Sequence, residues 1–211
     1  MAQQQEDPED DHRFGLWLDQ TISAGLSRNS SLEFEFHQRF DEGASNLYEY
    51  FFQGGFAFRP RPWLTLIPIY RYQRYPGDYT TSYEKRLQLN LTLSTKRGRW
   101  GPNLRTLFEG RFPENRIASA RLRFRPGIEY TLPLRMMRPP AVVVNNEFFI
   151  VPGPNSFASG GTFTQNRFQA GVRLPMASSF SIRPYFMLQS ANLPTGWKTN
   201  RILGVSLAFK F

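Results

Sequence analysis

Apolar and polar residues alternate along most of this chain with a period of two. The last ten residues set the pattern: Leu203, Val205, Leu207, Phe209 and Phe211 share one face, while Ile202, Gly204, Ser206, Ala208 and Lys210 share the other. Such alternation marks a strand whose two faces meet different surroundings. It recurs upstream. Leu32, Phe34, Phe36 and Phe40 alternate with Glu33, Glu35, His37 and Arg39; Leu87, Leu89, Leu91 and Leu93 oppose Glu84, Arg86, Gln88, Asn90 and Thr92; Phe168, Ala170, Val172 and Leu174 oppose Arg167, Gln169 and Arg173. Clusters of Pro, Gly, Asn, Asp and Ser punctuate these runs, at 27–30, 41–46, 59–62, 76–82, 96–99, 113–114, 133–140, 152–163, 175–179 and 192–199. Pro60 and Pro62 should break the strand ladder, since proline cannot donate to it. The pattern yields eleven strand candidates and no competing helix.

The polar faces are charged too regularly for a soluble core, and they suit a wet or ion-paired lumen. An all-β fold follows: a single antiparallel transmembrane β-barrel over residues 14–211, with its apolar face toward lipid. An acidic, disordered or loosely ordered arm at 1–13 precedes it. Each candidate has roughly ten to sixteen residues, against about 9–11 for a tilted membrane strand. Single-chain bacterial barrels have even strand numbers. The expectation is therefore ten to twelve strands, with twelve preferred. An odd count would run the first strand, 14–25, toward the periplasm and leave the N-terminus outside.

Composition sharpens this picture. Aromatics reach 16% with 20 Phe, yet apolar residues make up only 40% of the 211. A barrel with a lipid-facing wall and a polar interior reconciles the two. No run of about eighteen apolar residues is present, which excludes a transmembrane helix and says nothing against a barrel. The absence of cysteine removes disulfide and thiolate chemistry. The chain opens on a polar, acidic stretch, so the expectation is a mature chain whose signal peptide has been removed, resident in a bacterial outer membrane. The net charge of +9 is spread along the strands and forms no single patch, which disfavours nucleic acid.

Strand parity assigns an inward charge set. Its arginines are Arg39, Arg59, Arg71, Arg86, Arg105, Arg111, Arg121, Arg123, Arg125, Arg167, Arg173 and Arg183; its acids are Asp19, Glu33, Glu35, Glu49, Glu84, Glu109, Glu129 and Glu147. Two readings follow. The set lines a narrow, porin-like channel that prefers small anionic solutes, or it forms interlocking Arg–Glu pairs that plug a structural or accessory barrel. A soluble ligand-binding barrel ranks lower. Trp17, Trp63, Trp100 and Trp197 fall near strand ends and are expected in the aromatic girdles at the two interfaces. The basic turns at 96–99 and 133–140 are expected on the periplasmic side, where they offer a dock for another envelope protein. Only His12 and His37 are available for acid–base or metal chemistry, so neither an enzyme, a metal site nor a cofactor is expected.

Several segments resemble a known family. Glu109-Gly110-Arg111, the run Arg121-Leu-Arg123-Phe-Arg125-Pro-Gly-Ile-Glu129-Tyr130, Asn146-Glu147-Phe148-Phe149 and Gln165-Asn166-Arg167, with Phe14-Gly-Leu-Trp17 and Glu84-Lys-Arg86, are similar to the domain-of-unknown-function 2490 family. The resemblance covers most of the chain. It implies a bacterial outer-membrane barrel of a kind common in Bacteroidetes, and it carries no activity. The Pro-rich turn at 133–140 is longer and more basic than that family's usual pattern.

Overall fold

The computed structural model describes residues 14–41, 43–77, 82–114, 116–152 and 163–211. The expected arm at 1–13 and most of the loop at 152–163 lie outside them. Eleven strands occur among the described residues: β1 (Phe14–Ser27), β2 (Ser30–Asp41), β3 (Asn46–Arg61), β4 (Leu64–Tyr75), β5 (Ser82–Ser94), β6 (Trp100–Pro113), β7 (Ser119–Thr131), β8 (Ala141–Ile150), β9 (Phe163–Pro175), β10 (Phe180–Leu193) and β11 (Gly196–Lys210). Consecutive strands pair antiparallel, and β1 also pairs β11, closing the sheet into a barrel.

The strand number is thus eleven, not twelve, and the pairing is not antiparallel throughout. β1 is an ordinary wall strand. It pairs antiparallel with β2 from Leu16↔Phe40 to Ser27↔Ser30 and parallel with β11 from Phe14↔Arg201 to Ser23↔Lys210. An odd number of alternating strands makes the first and last run the same way, so closure has to be parallel. The seam extends past β11: Gly25 N donates to Phe211 O at 2.8 Å, and Phe211 N donates to Ser23 O at 2.9 Å. The terminal aromatic is therefore tied down by its backbone. Because the chain has no cysteine, the seam can be tested directly. Thr21 and Ala208 are Cα partners in the parallel register. A Thr21→Cys/Ala208→Cys chain should form a disulfide on mild oxidation, seen as a shift on non-reducing gels. A Thr21→Cys/Arg201→Cys chain should not, and the opposite result would refute the parallel register.

Two connections differ from expectation. The loop expected at 192–199 shrinks to a two-residue turn, because β10 runs to Leu193 and β11 begins at Gly196, whose φ of 109° only glycine adopts readily. Pro60 lies within β3 instead of ending it, and a register shift between Phe58 and Arg61 absorbs the missing donor. The connections after β1, β3, β5, β7 and β9 gather at one end of the barrel, called the short-turn end for the two-residue turns after β1 and β3, and those after β2, β4, β6, β8 and β10 at the other.

The two faces invert the arrangement of a water-soluble protein. Large apolar side chains are exposed on the outside: Phe34, Phe52, Phe56, Phe58, Leu87, Leu89, Phe108, Phe168 and Leu203 among them. Polar and charged ones are buried inside, including Glu49, Arg71, Gln73, Glu84, Arg86, Glu109, Arg123 and Glu147. Eleven strands about 4.8 Å apart, tilted about 40°, enclose a cylinder roughly 22 Å across between backbones. Only long side chains can meet across that width.

Candidate functional site

The lumen is the candidate site, and its geometry follows from parity. On β3 the odd positions turn inward, so Glu49, Phe51 and Gln53 follow one another along the inner wall and are buried. The same rule brings in Arg71 and Gln73 from β4, Glu84, Arg86 and Gln88 from β5, Leu107 and Glu109 from β6, and Arg121 and Arg123 from β7.

Glu109 is the hub of the charge network, its side chain wholly enclosed. It accepts from Arg121 Nε at 2.5 Å, from Arg123 Nη1 at 3.1 Å and from Gln88 Nε2 at 3.0 Å. Arg123 reaches on to Glu147 at 2.8 and 3.1 Å. On the other side, Glu84 receives Arg86 and both nitrogens of the Arg111 fork at 2.9 Å. Glu49 takes Arg39 at 2.7 Å and Gln73 at 2.8 Å. Buried charges are tolerated only when paired and hydrogen-bonded, and these four carboxylates meet that condition through five arginines.

A second system crosses the lumen. Arginine guanidinium groups and aromatic rings alternate in one stack: Phe149, Arg167, Trp17, Arg39, Phe51, Arg71, with each guanidinium 3.9 to 5.2 Å from its ring centroids. Desolvated cation–π contacts of this kind contribute up to about 2 kcal/mol each. Trp17 is therefore a lumen residue, 5% exposed, and not a girdle residue. Its parity with Asp19 places it inside, and position near a strand end was the weaker guide. Trp100 and Trp197 are about half exposed on the outer wall, with Trp100 packed on Tyr130 at 4.4 Å and Trp197 on Phe163 at 5.2 Å, and Trp63 is as exposed in the β3–β4 turn.

Beside the parallel seam, Trp17, Tyr185, Met187 and Ile202 form an apolar cluster. The Tyr185 ring lies over the bare backbone of Gly204 and its hydroxyl donates to Asp19 at 2.8 Å. Asp19 also meets His37 Nδ1 at 2.6 Å, and His37 Nε2 meets Glu35 at 2.7 Å. Both ring nitrogens face carboxylates, an arrangement that imidazolium, with two N–H donors, satisfies.

Of the sequence-predicted charges, Arg39, Arg86, Glu109, Arg111, Arg121, Arg123 and Glu147 join the paired network, and Arg167 stands in the stack. Glu129 and Arg173 pair with each other, partly exposed, nearer the short-turn end. Arg105 and Arg125 make no hydrogen bond or ion pair among the described residues. Arg183 donates to a neutral acceptor, Ser206 Oγ, at 3.2 Å. Sequence reasoning passed over Phe51, Phe149 and Leu107, each 1% exposed or less. Parity marks them: Phe51 stands between Glu49 and Gln53 on the same face, and Phe149 two residues after Glu147. Among the described residues no group of three or more His, Asp or Glu side chains is placed to hold a metal ion.

An all-β barrel with an apolar exterior and an ion-paired interior is consistent with the outer-membrane type. The chain belongs to the family described as "Protein of unknown function (DUF2490)", matched over residues 14–200. This is the family that the Arg121–Tyr130 run and its companions resemble. No curated protein and no solved structure matches the chain.

Proposed function

We propose that this chain is an outer-membrane barrel with a closed lumen, a structural or accessory element of the envelope and not an open pore. The observation that carries closure is Glu109. A carboxylate in a conducting, water-filled lumen would be wetted, and this one is completely covered by Arg121, Arg123 and Gln88. The outer wall supports the membrane reading. From Leu203 to Phe211 five outward apolar residues cover about 27 Å of strand, or roughly 20 Å of height at a tilt of about 40°, near the roughly 25 Å band of such barrels. Trp100 and Tyr130 at the short-turn end and Trp197 and Phe163 at the other bound that band.

Planar-bilayer recording tests closure. Reconstituted protein should give no stable conductance steps across voltages. Reproducible steps would refute the closed lumen and restore the anion-preferring channel. A non-catalytic role belongs to the same reading, since His37 has both ring nitrogens engaged by Asp19 and Glu35.

A second reading concerns a partner. The β7–β8 connection exposes Leu134, Met136 and Met137, the last at 93%, beside the exposed Arg135 and Arg138. Apolar residues framed by arginine suit an acidic envelope protein. A photo-crosslinker at position 137 should trap one protein adduct in intact cells, lost in Arg135→Glu/Arg138→Glu; lipid adducts alone would argue against such a partner.

A further inference from the structure

Between the Glu109 network and the Glu129–Arg173 pair at the short-turn end, two inward arginines have no carboxylate of their own. Arg105 on β6 and Arg125 on β7 are Cα partners, two like charges directly opposed on the inner face. Opposed like charges destabilise a sheet. Here no side chain among the described residues relieves them. Neither guanidinium has a hydrogen bond or an ion pair, and Arg105 Nε is enclosed without a partner. The β5 neighbour opposite Arg105 is Thr92, a neutral hydroxyl. Arg183 adds a third cation close enough for Arg125 to feel its charge, and its own bond goes to a serine. Glu35 and Glu147 reach the pair electrostatically, but His37 and Arg123 already engage them. Arg105 and Arg125 nevertheless keep some solvent exposure. Toward the short-turn end, the next inward pair on β6 and β7 is Asn103 and Gly127, with the Asn103 and Asn145 side chains over the glycine.

We infer that Arg105 and Arg125, with Arg183 nearby, form an anion-binding site inside the barrel on the short-turn side of the Glu109 network, and that its ligand is a phosphate group. A carboxylate brings one charge and two coplanar oxygens. A phosphate group brings up to about two charges and three oxygens in a tetrahedral array, able to bridge the two opposed guanidinium forks. Free phosphate and the headgroup of a phospholipid share that chemistry. The site rests on the closed-lumen reading, because the Glu109 network closes the lumen beyond the two arginines.

The test uses the purified full chain in detergent. Inorganic phosphate and a soluble short-chain phosphatidate are each titrated by calorimetry, with heat-modifiable gel migration recording stability in parallel. At least one ligand should bind saturably, and which one does identifies the source. Arg105→Gln and Arg125→Gln should each lower affinity by about tenfold or more. Without ligand, each should leave the barrel's unfolding midpoint unchanged or raised, because a repulsion has been removed. A merely structural arginine would instead lower it. Arg125→Lys keeps the charge and loses the fork, and should weaken binding less than Arg125→Gln. Arg201→Gln, outward and exposed, should change neither readout. Failure of both ligands to saturate a non-conducting barrel overturns the site and leaves the closed lumen standing. Phosphate-carried current through the wild-type barrel overturns both. Binding that Arg105→Gln and Arg125→Gln leave intact overturns the assignment to these residues.

Discussion

Replacing Glu109 with Ala should destabilise the barrel by about 3–5 kcal/mol, the usual cost of removing one partner from a buried ion pair. The side chain has no exposed surface, and its loss strands Arg121 entirely and Arg123 in part. Two guanidinium groups would then be enclosed without enough carboxylate to balance them. Guanidinium denaturation in detergent micelles, followed by heat-modifiable migration, measures the change. The exposed Glu114 provides the contrast: Glu114→Ala should shift stability by less than about 0.5 kcal/mol. The pair Glu109→Gln/Arg121→Gln should lose less than the sum of its single variants, since the two share one interaction. Strict additivity would mean that Glu109 is not the hub.

The second large effect is steric. A Cβ on Gly204 would lie 2.1 Å from Tyr185 Cζ and 2.4 Å from its hydroxyl oxygen. Gly204→Ala therefore has to displace a buried ring, break its hydrogen bond to Asp19 and disturb the cluster beside the parallel seam. Overpacking and the lost bond together amount to about 3 kcal/mol. Tyr185→Phe removes only the bond and should cost about 1 kcal/mol. Gly204→Ala placed on a Tyr185→Leu background should cost much less than on wild type, because no ring then occupies the glycine notch. Gly171 lies under the Cβ of the same tyrosine, with a Cβ of its own 2.7 Å away. Tyr185 thus packs onto bare backbone on both neighbouring strands.

Both effects bear on the same question, which is how an eleven-stranded ring seals itself. Eight strands give a lumen that ordinary side chains fill, and sixteen or more leave a channel. At eleven, the gap takes arginine, glutamate, glutamine and aromatic rings stacked on one another. The acids pair much of the lumen, but Arg105 and Arg125 face each other without one. An overall arginine excess suggested an anion-preferring lumen. In the barrel that excess stands in Arg71, which meets Gln53, in Arg183, which meets Ser206, and in the Arg105–Arg125 pair.

The strand pattern was legible in the chain because period-two alternation depends only on which face each residue turns to, and each strand declares this locally. The eleven candidates, the inward parity of Arg39, Glu109, Arg123 and Glu147, and the family resemblance carried by the Arg121–Tyr130 run all came from local order. Where local cues competed, parity was the better one: it places Trp17 and Phe51 inside, although nearness to a strand end pointed Trp17 toward a girdle. Closure could not be read this way. Whether the first and last strands meet, and in which direction, depends on contact between residues nearly two hundred positions apart, such as Phe14 and Arg201, and no local period encodes it. Nor does parity say which arginine finds which carboxylate. That choice is made by side chains reaching across a ring whose width the number of strands sets. The tertiary structure alone decided that Glu109 gathers Arg121 and Arg123, that Tyr185 rests on Gly204, and that Arg105 and Arg125 are left facing each other.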